Sequence, residues 1–99
     1  MDPFETIREN IPQAELLALL AEEAVELAHA ALKLRRVYDG TNPTPVKRAA
    51  AFANLKEEMA DVGLIVSVLD YDRHHPEIMR IQREKLKRWL QRLEEDTNQ

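Results

Sequence analysis

The chain contains no cysteine. That absence removes disulfide frameworks, zinc–thiolate sites and thiol nucleophiles together. Only two of its 99 residues are glycine and only 5% are aromatic. No stretch approaches the roughly 18 apolar residues of a membrane span, and the acidic start Met1-Asp2-Pro3-Phe4-Glu5 does not read as a signal peptide. The expectation is a soluble cytoplasmic protein with no membrane partner. Basic residues are outnumbered, 14 against 18 acidic ones, for a net charge of −4. A general nucleic-acid binder needs a basic face to displace counterions, so no nucleic-acid polymer is expected as a partner. A polyphosphate can still bind an acidic chain if a metal supplies the positive charge. The length suits one domain spanning residues 1–99 with a thin core, which favours self-association.

What the chain does have is helix-forming sequence divided by five prolines. Pro3, Pro12, Pro43, Pro45 and Pro76 fall where helices begin or are interrupted, the positions at which proline is tolerated. Between them lie glycine-poor segments rich in Ala, Leu, Glu, Lys and Arg, all strong helix formers. A short helix is expected from Pro3 to about Glu9, capped by Asp2. A second runs from Pro12 to about Tyr38 and is stopped by Asp39-Gly40. Thr41-Asn42-Pro43-Thr44-Pro45 has turn chemistry, with Thr44 as the next cap. A third helix then extends to about Tyr71, Asp72-Arg73-His74-His75 forms a polar break, and a last helix runs from Pro76 to about Glu94. Leu16, Leu20, Leu27 and Ala31 keep helical phase, as do Leu55, Met59, Val62, Val66 and Leu69. The expected fold is all-α, an antiparallel helical bundle whose core is completed by oligomerisation into a homodimer or homotetramer.

Carboxylates intrude on those apolar stripes. Glu23 and Glu26 are spaced i, i+3, and so are Glu58 and Asp61, which puts each pair on one helix face. Glu23 has Leu19, Leu20 and Leu27 as helical neighbours, and Asp61 has Leu64 and Ile65. No lysine or arginine stands three or four residues from any of the four. Carboxylates facing a core cost several kcal/mol unless something neutralises them. Two antiparallel helices would gather all four around one point, a set that suits a hard divalent cation, with Mg²⁺ as the default. The alternative is a solvated acidic face, which one such pair would not exclude. Two matched pairs, both set among apolar residues, argue against it.

These residues resemble a family. Glu22-Glu23-Ala24-Val25-Glu26-Leu27 followed by Glu58-Met59-Ala60-Asp61-Val62 is similar to the signature of the MazG-like all-α nucleoside triphosphate pyrophosphohydrolases. The resemblance spans roughly Glu15 to Arg92. It takes in the loop Asp39 to Pro45 and the basic, aromatic Lys85-Leu86-Lys87-Arg88-Trp89. It implies Glu23, Glu26, Glu58 and Asp61 as ligands of Mg²⁺ or Mn²⁺, with Glu22 and Glu57 as further contacts. It also implies hydrolysis of a nucleoside triphosphate between its α and β phosphates, giving a monophosphate and pyrophosphate. No Ser/His/Asp triad is evident, so a metal-activated water with Glu23 or Glu22 as base would suffice. Glu22-Glu23-Ala24-Val25-Glu26 also resembles phosphoribosyl-ATP pyrophosphohydrolase, although the loop through Pro43 and Pro45 fits that enzyme less well. A non-catalytic helical interaction or regulatory dimer is the reading from a different class.

Other residues carry two readings each. Lys85, Arg88 and Arg92 share one face of the last helix and suit contact with substrate phosphates, or else form a solvated face paired with Glu84, Glu94 and Glu95. Trp89 suits stacking on a base, or anchors a core or interface. Asn54, one turn before Glu58, is a candidate for contact with substrate or a ligand carboxylate. Gly63 in mid-helix suggests the close approach of a facing helix or of the substrate.

Overall fold

The computed structural model describes residues 2–41, 47–70 and 75–97. Among these residues there are four helices and no strand, as the all-α expectation required: α1 (Pro3–Asn10), α2 (Gln13–Asp39), α3 (Arg48–Asp70) and α4 (His75–Thr97). The chain clusters into two compact units, Met1–Leu69 and Asp70–Gln99. None of the helices is long and apolar enough to cross a membrane.

The helix ends follow from their local sequence. Asp2 caps α1 by accepting a hydrogen bond from the Phe4 amide at 3.0 Å, with Pro3 in the first turn where its missing N–H costs nothing. α2 stops at Gly40, whose φ of 75° is the left-handed conformation that residues with a Cβ avoid. The Thr41 amide then reaches back to the Arg36 carbonyl at 3.1 Å, so a carbonyl at the helix end is satisfied. Asp39 accepts from both the Thr41 amide at 3.0 Å and the Thr41 hydroxyl at 2.6 Å. Those bonds hold its carboxyl below the ordinary value. α3 begins at Arg48, later than the Thr44 cap would place it. Thr44 and the prolines beside it lie outside the described residues, as do His74 and most of the polar break. α4 runs on to Thr97, past the expected end near Glu94, with the Thr97 hydroxyl bonded to the Leu93 carbonyl at 2.8 Å.

In the first unit α2 and α3 run antiparallel. The Arg48 guanidinium at the start of α3 lies 4.6 Å from the ring centroid of Tyr38 at the end of α2. A cation over an aromatic face at this range is attracted by the ring quadrupole. At the far end, Arg8 of α1 donates to the Val68 carbonyl at 2.8 Å, joining α1 to the last turns of α3. Both charge and hydrogen bond favour a cation there, at the negative end of the helix dipole.

Among the described residues the buried core is small and entirely apolar: Leu16, Ala30, Leu34, Ala51 and Val68. Leu16 and Val68 belong to the end tied by Arg8, and Leu34 and Ala51 to the end tied by Arg48. The expected α2 stripe is therefore right at Leu16, but Ala30, not Ala31, is the buried residue one turn before Leu34. A stripe at 3.6-residue spacing drifts along 27 residues, and the small step from 31 to 30 follows that drift. Met59 of the α3 stripe is 57% exposed. A Cβ added at Gly63 would meet nothing within 4 Å among the described residues, so α1 and α2 do not make the close approach that glycine suggested.

Candidate metal centre

Because α2 and α3 are antiparallel, the Glu23–Glu26 turn of one faces the Glu58–Asp61 turn of the other. One carboxylate oxygen each from Glu23, Glu26 and Glu58 lies within 4.8 Å of the others. Asp61 is not part of that close group. It stands near enough to act on both Glu23 and Glu58 through space. Each i, i+3 pair thus splits, with Glu23 and Glu58 half-buried and Glu26 and Asp61 exposed. The sequence pattern places both members of each pair in the apolar stripe. The structure turns only one member inward, since 300° of rotation over three residues leaves the other about 60° away.

Two atoms set this group apart from an ordinary acidic face. Glu23 Oε2 and Glu58 Oε2 are sealed from solvent and have no hydrogen-bond partner among the described residues. Buried polar atoms are nearly always paired, so an orphaned carboxylate oxygen on each of two facing helices is unusual. Burial is the main cause that pushes the Glu23 carboxyl above its ordinary value, reinforced by the charges of Glu26, Asp61 and Glu58. Glu58 is raised in the same way, by burial first and then by Glu26, Asp61 and Glu57. The main influences on both groups are burial and neighbouring carboxylates. Glu26 lies close enough to share a proton with each of them. A carboxylate only accepts hydrogen bonds, so that link exists only while the cluster holds a proton.

These groups set a pH dependence for the metal-free protein. A raised folded value means that the folded state holds protons the unfolded chain has released, so folding is favoured by acid. The gain is fully present below the unfolded value of 4.5 and is lost as pH rises through the folded values of Glu23 and Glu58. Asp39 works the other way, but its contribution is lost only as pH falls below 3.8. Thermal melts in EDTA are therefore expected to rise as pH is lowered from neutrality toward 4.5. A melting temperature that is flat or falls over that range would mean that the cluster carries no excess charge in solution.

The remaining candidates are spread along α2, α3 and α4. Glu22 is exposed beside the cluster on α2, and Glu57 is exposed beside it on α3. Asn54 is half-buried one turn before Glu58. Lys85, Arg88 and Trp89 lie on α4, in the second compact unit, and all three are exposed. The proton-sharing position of Glu26 was not read from the sequence, though its i+3 spacing from Glu23 carried the signal. Compared with known proteins, the chain matches no family model, no curated protein and no solved structure.

Proposed function

We propose that this chain is a Mg²⁺-dependent nucleoside triphosphate pyrophosphohydrolase of the MazG-like kind. In this reading it works in the cytoplasm as a homodimer or homotetramer of antiparallel helices. Its substrates are ribo- or deoxyribonucleoside triphosphates, non-canonical ones included. The observation that carries the reading is the pair of sealed, unpartnered oxygens on Glu23 and Glu58 within a ring of like charge. A divalent cation is the partner whose chemistry suits that donor set: hard, oxygen-seeking, and able to offset several carboxylates at once.

Glu23, Glu26 and Glu58 would hold Mg²⁺ or Mn²⁺, with Asp61 completing the set. The bound cation supplies Lewis-acid neutralisation of phosphate charge. The side chains then divide the proton work. Water attacks the α-phosphorus, its proton passes to Glu23 or Glu22, and the bond to the bridging oxygen of the β-phosphate breaks. The electron pair of that bond leaves with pyrophosphate, and the monophosphate retains the new oxygen. Glu22 and Glu23 are adjacent carboxylates at the cluster, and either would serve as the base. The reading rests on α2 and α3 alone.

Turnover in ¹⁸O-labelled water tests where the bond breaks. Label is expected in the nucleoside monophosphate and not in pyrophosphate. Label in inorganic phosphate with a nucleoside diphosphate as co-product would identify a different hydrolase.

A further inference from the structure

We infer that the apolar face of α4 is an interface between copies of this chain, filled by α4 of a second copy lying antiparallel to the first. The inference rests on the self-association in the reading above and on none of its chemistry.

Two observations carry it.

The first is the pattern on α4. Met79, Leu86, Trp89, Leu90 and Leu93 are each 44–60% exposed. At 100° per residue they fall within one narrow arc of the helix. Their neighbours on the arc's borders are charged, the arrangement of a helix that packs along one seam. Among the described side chains of α4 only Ile78 is even half-buried. In proteins most helical stability comes from packing of an amphipathic face rather than from propensity.

The second is charge. Residues 80–92 carry Arg80, Arg83, Lys85, Lys87, Arg88 and Arg92 against the single Glu84, while Glu94, Glu95 and Asp96 follow directly. An antiparallel partner sets the acidic end of one helix beside the basic body of the other. Arg83 and Glu94 lie on the same border of the apolar arc, so each would face the other's counterpart across the seam, with Trp89 near the two-fold axis. An anionic lipid surface fits less well. It would repel the carboxylates of Glu94, Glu95 and Asp96.

The single tryptophan makes the test direct. The full chain is sedimented over a range of concentrations while Trp89 emission and acrylamide quenching are followed. Dissociation on dilution is expected to shift the emission to the red and raise the quenching. Leu90→Glu is expected to raise the dissociation constant at least about tenfold with helical circular dichroism retained. Arg83→Glu should weaken association, and Arg83→Glu with Glu94→Arg should restore it. A wild-type chain that stays monomeric throughout would overturn both self-association and this interface. An oligomer whose Trp89 emission ignores dissociation, and whose affinity ignores Leu90→Glu, would overturn the α4 interface and leave self-association standing. Failure of the charge swap to restore affinity would overturn the antiparallel pairing.

Discussion

Glu58→Gln is expected to reduce turnover by more than about a hundredfold while raising the melting temperature of the metal-free protein. Changes to groups that merely support a metal ligand cost about 10–100-fold, so loss of a ligand charge should exceed that range. The gain in stability has a separate cause. Glu58 is pushed toward its neutral form by burial and by Glu26, Asp61 and Glu57. Glutamine keeps the shape, removes the charge and supplies N–H donors that the Glu26 carboxylate can accept. Glu23→Gln is expected to behave alike, because its environment is the same in kind. Steady-state kinetics paired with thermal melts in EDTA read both effects. A variant that retains full activity, or that is less stable without metal, contradicts the role given to the cluster. Glu22→Gln, at an exposed position beside the cluster, separates the two candidate bases: it spares turnover if Glu23 accepts the proton.

Mg²⁺ is expected to raise the melting temperature of the wild-type chain sharply. A ligand bound only by the folded state at a hundred times its dissociation constant adds about 2.7 kcal/mol. For a domain of this size that corresponds to roughly 10–20 °C. The shift should shrink as pH falls toward 4.5, since protons and cation compete for Glu23 and Glu58. It should also vanish in Glu58→Gln. Equal melting temperatures with Mg²⁺, Mn²⁺ and EDTA would leave the sealed oxygens of Glu23 and Glu58 without a cation to offset them, and would favour a non-catalytic helical module.

Much of this was legible in the sequence, and the limits have physical reasons. The helices were readable because proline and Gly40 mark their ends and because leucine recurs at helical spacing. The meeting of Glu23 and Glu26 with Glu58 was readable once α2 and α3 were taken as antiparallel neighbours. Asp61 was harder. Spacing places it on the face of Glu58, yet the 60° offset turns its side chain out to solvent, and only packing decides which member of a pair points inward. The link from Arg8 to Val68 joins residues 60 apart in the chain, beyond the reach of any local pattern. On α4 the basic residues drew attention to phosphates. The apolar arc through Met79, Leu86 and Leu93 was equally visible, but its importance depends on exposure, which a sequence does not show.

The most direct measurement is pyrophosphate release from a panel of ribo- and deoxyribonucleoside triphosphates and phosphoribosyl-ATP, with Mg²⁺ and with EDTA. Release from one or more triphosphates that requires Mg²⁺, and is lost in Glu58→Gln, is the expected result. Release confined to phosphoribosyl-ATP would keep the metal centre and change the substrate. No release from any member of the panel would contradict the assignment of α2 and α3 as a pyrophosphohydrolase centre.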